Sequence, residues 1–221
     1  MRVSSGKRLL ALLLTTLAFV ALLAGCSTGK DAVAQGDTFQ FVSPGGQTVI
    51  TYPVAQRKKV ADLTGPNLVT DQTIKLSDPQ FANKVVVINV WGSWCGPCRG
   101  EADDLERVYE QTKDLGVAFL GINLRDDRDS AKDFVADRKV GYPSIYDFDG
   151  ATLSALTTPT AVVPTTVVLD RQHRPAAVFL KAITADELDA TVRQVAAESG
   201  PTAPSATAAA PSRTADATAH G

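Results

Sequence analysis

Cysteine, histidine and methionine are scarce in this chain: three, two and one among 221 residues. His173 sits in a turn-forming stretch, His220 stands next to the last residue, and there is no second Cys-x-x-Cys pair. A structural zinc site needs about four such ligands, so the chain lacks the donors for one and no metal is expected. Copper held by the two thiols alone stays open on this ground. Basic residues cluster no further than Arg57-Lys58-Lys59, and the net charge is −2. The electrostatic footprint of a nucleic-acid binder is therefore missing. The apolar run Leu9 to Leu23 falls short of the roughly 20 residues a membrane-spanning helix requires.

That run has a role of another kind. Arg2, Lys7 and Arg8 precede it and no acid occurs before Asp31, the pattern of a secretory signal over residues 1–25. It ends in Leu23-Ala24-Gly25-Cys26, which resembles the lipobox of bacterial lipoproteins. The resemblance implies cleavage before Cys26 and acylation of that residue, which holds the protein on a membrane by lipid alone. A plain signal peptide with Cys26 incidental, or an uncleaved anchor, is the simpler alternative. Cleavage removes three basic residues and no acid, so the mature charge moves from −2 to −5.

Residues 26–38 read as a polar tether, and 200–221, rich in Pro, Ala and Thr, as a disordered tail. Phe39 to Val42, a Pro44-Gly45-Gly46 turn and Thr48 to Tyr52 predict a β-hairpin extension over residues 39–60. The folded domain spans 61–199. Within it, Asn67 to Val69 and Thr73 to Leu76 read as a short strand pair, and Asp78 to Asn83 as a short helix. Val85 to Trp91 is apolar almost throughout and Val117 to Asn123 reads likewise, as strands buried on both faces do. A helix from Pro97 to about Leu115 lies between them, and Asp129 is placed to cap another that ends near Arg138. Pro143 to Tyr146 adds a candidate strand, and Thr165 to Leu169 with Ala176 to Leu180 a hairpin. Thr184-Ala185-Asp186-Glu187 reads as a capping box opening the last helix. A βαβ unit followed by a β-hairpin and a closing helix is the order of a thioredoxin-like α/β fold: a central mixed sheet flanked by helices, here with a helix-strand insertion.

Cys95 and Cys98, in Trp94-Cys95-Gly96-Pro97-Cys98-Arg99, stand where the first buried strand passes into a helix. A permanent staple is a poor use of this spacing, because so small a loop removes little entropy from the unfolded chain. Unpaired N–H groups and the positive helix end favour a thiolate at Cys95. Such a sulfur is both nucleophile and leaving group. Cys95 is the expected nucleophile and Cys98 the shielded resolving thiol, exchanging disulfides with no cofactor beyond their own redox-active disulfide. Pro97 suits a first helical turn. Arg99 reads as a solvated helix residue or an attractor of acidic partners.

The stretches VVVINVWGSWCGPCRGE (85–101), FLGIN (119–123) and VPTTVVLD (163–170) together resemble the TlpA/ResA/CcmG group of membrane-anchored thioredoxin-like proteins. The resemblance implies a cis-proline at Pro164 opposite the thiols, with the Val163 backbone exposed for pairing with an extended substrate. Trp94, Gly96, Pro97 and Val163 are the substrate-contacting residues it implies. It also implies Asn89 where thioredoxin has a buried aspartate, and Glu101 as a relocated proton acceptor or tuner of the thiol pair. A solvent-facing Glu101 at a helix start is the simpler alternative. Lys181 departs from the glycine usual in the group, making the rim there bulkier and positive.

The group's activity implies an extracytoplasmic thiol–disulfide reductase, here lipid-anchored and expected to be a monomer. Its substrate would be the CxxCH disulfide of apocytochrome c, and its electrons would come from a CcdA- or DsbD-like membrane thiol carrier. The alternatives are an oxidase that forms disulfides in secreted proteins and a lipid-anchored, non-enzymatic binding module.

Overall fold

The computed structural model describes residues 46–156 and 162–198. The expected signal segment, tether, first half of the hairpin and C-terminal tail lie outside those residues. Eight strands and four α-helices are present among them: β1 (Val49–Thr51), β2 (Thr64–Pro66), β3 (Thr73–Lys75), β4 (Val85–Trp91), α1 (Gly96–Thr112), β5 (Val117–Leu124), α2 (Arg128–Arg138), β6 (Ser144–Asp147), α3 (Ala151–Ala155), β7 (Thr165–Leu169), β8 (Pro175–Phe179) and α4 (Ala185–Ala197). No helix among the described residues is long and apolar enough to cross a membrane.

Six strands form one mixed sheet in the order β1-β8-β7-β4-β5-β6, with β4, β5 and β6 parallel and the remaining pairs antiparallel. The fold is thioredoxin-like. β4 and β5 show no polar alternation because the sheet is covered on both faces. Val86, Ile88, Val90, Leu120 and Ile122 pack toward Leu63, Ile74, Phe81 and Leu156 on one face. Val85, Val87, Val117 and Phe119 meet Leu105 and Val108 of α1 and Leu188, Val192 and Val195 of α4 on the other. Strand periodicity therefore sends Asn89 and Trp91 to the face that carries α1.

Several expected elements shift, each for a local reason. Residues 78–83 form consecutive turns, not a helix. The Asp78 carboxylate accepts from Lys75 N behind it, and Asn83 has a positive φ of 55°, which leaves no room for a helical nucleus. Asn67 does not extend a strand. Its Oδ1 accepts from Val69 N and Thr70 N, so it opens the turn and β2 lies at Thr64–Pro66. Asp127, not Asp129, caps α2 through Ser130 N at 2.8 Å. Only half of the capping box forms: Thr184 Oγ1 accepts from Glu187 N, but the Glu187 carboxylate turns to Lys181 Nζ.

β1 pairs antiparallel with β8, from Val49↔Phe179 to Thr51↔Ala177, so the chain before residue 60 joins the main sheet. Arg57 fixes it further. Its side chain is 5% exposed, donates to Tyr52 O, and bridges Asp170 in the β7–β8 turn and Glu198 at the end of α4. An Arg57→Ala substitution is expected to lower the unfolding free energy by about 2–3 kcal/mol in urea titrations. A loss under about 0.5 kcal/mol, the size of an ordinary surface change, would show that the segment does not depend on this clamp.

Candidate active site at the start of the first long helix

The end of β4 and the start of α1 bring Cys95 and Cys98 together as a disulfide, with Cα atoms 5.3 Å apart. Cys95 is the N-cap of α1: its backbone is extended, and its sulfur accepts from Cys98 N at 3.2 Å. Pro97 occupies the first turn, where a missing N–H costs nothing. The helix thus aims the Cys98 N–H and its positive end at the Cys95 sulfur, which favours a thiolate there once the bond is reduced. The expected contrast between an open Cys95 and a shielded Cys98 is absent from the disulfide form, where the two are 4% and 3% exposed. Trp91, Leu68 and Ala131 pack around the pair, with Phe134 and Val163 against them. The Val163–Pro164 peptide bond is cis, at the start of β7 beside β4.

Glu101 is buried, 2% exposed, one turn beyond Cys98. The solvent-facing alternative fails because α1 turns this position onto the sheet. Asn89 Nδ2 donates to its Oε1 at 3.0 Å and Ile183 N to its Oε2 at 2.9 Å. Asn89 in turn donates to Thr166 Oγ1, directly across the β4–β7 pairing. Burial is the main cause that raises the Glu101 carboxyl to about 7; the Ile183 and Asn89 hydrogen bonds oppose it, and the nearby Asp104 adds to it. The carboxyl's proton affinity is therefore raised toward neutrality, one turn along α1 from Cys98. Lys181 lies in the turn that carries Ile183, but its ammonium is paired with Glu187 at 2.8 Å, so the extra positive charge expected on the rim is offset.

On the opposite side lies a brace that the sequence did not disclose. Asp126, 2% exposed, accepts from Ser93 N, from Ser93 Oγ at 2.7 Å and from Asn123 Nδ2 at 2.8 Å. It fixes the loop that delivers Trp94 and Cys95. Among Asp126, Asp127 and Asp129, nothing in the sequence marks the first as buried and the others as helix-terminal. The Trp94 ring folds over Gly92, where a Cβ would come within 2.6 Å of the indole, and Nε1 donates to Leu124 O at 3.1 Å. Trp94 stays 56% exposed, and Gly96, Pro97 and Arg99 are exposed beside it.

Residues 57–174 match the AhpC/TSA family, more than half of the sequence. The chain belongs to that family. Among solved structures it is similar to a secreted thiol-disulfide isomerase from Corynebacterium glutamicum, at 46% identity and a TM-score of 0.70, over 74% of this chain and 100% of that one. A DsbF homologue from Corynebacterium diphtheriae is 47% identical with a TM-score of 0.67, over 71% of this chain and 99% of that one. The thiol-disulfide oxidoreductase ResA of Bacillus subtilis (strain 168) is 26% identical over 144 residues, 63% of this chain and 78% of the relative. With the paired cysteines in place, this AhpC/TSA member is a thiol–disulfide oxidoreductase of the thioredoxin-like type, and the non-enzymatic reading is set aside.

Glu101 gives the enzyme a pH signature. An unfolded glutamate titrates near 4.5 and the folded one near 7, so between these values the folded form holds the extra proton. Folding stability is then fully present below the lower value and falls as pH rises through the window. Oxidised wild type is expected to lose roughly 3 kcal/mol of unfolding free energy between pH 4 and 8 that Glu101→Gln does not lose. Parallel urea titrations of the two proteins read this difference directly, and identical pH slopes would contradict it.

Proposed function

We propose that this enzyme is an extracytoplasmic reductase, tethered through acylated Cys26, that reduces the CxxCH disulfide of apocytochrome c during cytochrome c maturation. The observation that carries the reading is the buried Glu101 carboxyl behind a Cys95 sulfur at a helix N-terminus. The likeness to ResA, the secretory pattern of residues 1–25 and the Gly96-Pro97 dipeptide, which thioredoxin places on the reducing side of the family range, support it.

The Cys95 thiolate attacks one sulfur of the substrate disulfide, forming a mixed disulfide and releasing one substrate thiolate. Cys98 gives its proton to Glu101 and attacks the Cys95 sulfur. This breaks the mixed disulfide, releases the second substrate thiolate, which takes up a proton, and closes Cys95–Cys98. Two electrons pass to the substrate, with no cofactor beyond the dithiol. A CcdA- or DsbD-like membrane dithiol restores the pair. Pro164 and Val163 form the rim against which an extended substrate pairs, with Trp94, Gly96 and Pro97 facing it. The protein acts as a monomer.

The same steps in reverse oxidise thiols. The 46% identity to a secreted thiol-disulfide isomerase favours a second reading, disulfide formation or exchange in secreted proteins. Acid quench and mass-tag alkylation in intact cells separate the two. The reductase predicts a mainly dithiol enzyme and a Cys98→Ser variant that accumulates mixed disulfides with CxxCH proteins through Cys95. A mainly disulfide-form enzyme, trapping unrelated secreted proteins instead, would overturn it in favour of the oxidase.

A further inference from the structure

Among the described residues two aromatic side chains are exposed, Trp94 at 56% and Phe148 at 59%, and both lie at the end of the sheet that carries the disulfide. Their proximity follows from the topology. β4, β5 and β6 run parallel, so their C-terminal ends share one edge, and the residues just beyond them are Gly92 to Trp94, Arg125 and Phe148. The backbone ties these ends together: Trp94 Nε1 donates to Leu124 O, Leu124 pairs with Asp147, and Arg125 N donates to Asp147 O at 3.1 Å. Arg125 is exposed with φ +47°, has no ion-pair partner among the described residues, and places its guanidinium beside the Phe148–Gly150 turn, 3.6 Å from where a Gly150 Cβ would stand. In strand order Arg125 thus stands between the residues that carry the two exposed rings, and Trp94 is tied down by its hydrogen bond.

Exposed aromatic rings grouped beside a reactive site offer contact area to a partner, and aromatic side chains lose little entropy when covered. We propose that Trp94, Arg125 and Phe148 form a docking strip for the chain segment that flanks the attacked cysteine of a disulfide-bearing protein. The exchange at Cys95 supplies this occupant: a polypeptide whose cysteine reaches Cys95 has chain on both sides of it, and where one side pairs beside Val163 and Pro164 next to β7, the other is free to run across the ends of β4, β5 and β6. The dimensions specify it further. Two strand spacings of about 4.8 Å separate β4 from β6, a distance that about three extended residues cover. The favoured substrate carries an apolar or aromatic side chain about three residues from its reactive cysteine, over Phe148, and a carboxylate between them facing Arg125. The inference rests on the protein-substrate part of the function proposed above and not on the direction of electron flow.

The test compares reduced wild type, Phe148→Ser, Phe148→Tyr and Arg125→Ala on three disulfides. One is an oxidised two-cysteine peptide with Phe three residues and Glu two residues from one cysteine, made in both chain directions. The second has Gly at both positions, and the third is glutathione disulfide. Wild type is expected to prefer the Phe/Glu peptide by about tenfold in kcat/KM, through KM. Phe148→Ser removes that preference, Phe148→Tyr keeps it, and Arg125→Ala reduces it. An undiminished preference in Phe148→Ser, an equal loss on glutathione disulfide, or a loss of binding to phosphatidylglycerol vesicles with peptide preference intact would each overturn the strip, the last assigning the rings to a lipid surface. Equal turnover of both peptides by wild type defeats this inference alone. Turnover of glutathione disulfide with neither peptide defeats the protein-substrate reading as well.

Discussion

A carboxyl group buried where β4, α1 and the turn before α4 meet constrains how this site is arranged. Glu101 takes one N–H from the strand side through Asn89 and one from the main chain at Ile183. Burying a carboxylate without partners is costly, and two donors only partly offset that cost, so the proton affinity of the group rises. Local geometry follows from the same need. Asn89 cannot turn away without leaving Glu101 short of a donor, and the turn at Lys181 to Ile183 is held against α1 by its own backbone. The helix that carries the thiols is thereby fixed to the sheet one turn behind them.

The opposite wall works by a different device. Asp126 binds both the N–H and the hydroxyl of Ser93, and Trp94 is hydrogen-bonded to the end of β5. The loop before Cys95 is therefore set by side chains that come from the end of the neighbouring strand. Between the wall that holds Glu101 and the one braced by Asp126, the disulfide sits at a helix start whose N–H groups favour a thiolate on one of its two sulfurs. That asymmetry lets a symmetric bond react in a defined order.

The parts legible in the sequence are those where one physical cause dominates. VVVINVW and VAFLGIN are nearly continuous apolar runs, and the strands Val85–Trp91 and Val117–Leu124 follow them nearly residue for residue. The dithiol was legible because its chemistry fixes its spacing, and the cis bond at Pro164 through the resemblance that places it before β7. The legible part thins wherever two causes compete. Asp78-Pro79 has the signature of a helix start, but Asp78 closes a turn backward onto Lys75 instead. Asn67 has strand neighbours, but its side chain caps a turn. Glu187 completes a capping box in sequence and an ion pair in space. Asp126 and Thr166 were invisible for a plainer reason: their contacts depend on which strands adjoin, and that order is not written locally.

The account depends on Glu101 exchanging a proton near neutrality inside the thiol site. The direct measurement is a carbon-13 NMR titration of the Glu101 side-chain carboxyl in the oxidised protein, assigned by comparison with Glu101→Gln. A midpoint near 7 is the result the structure predicts. A midpoint near the ordinary glutamate value, about 4.3, would mean the carboxyl is not desolvated as described, and the proton-acceptor role would fall with it.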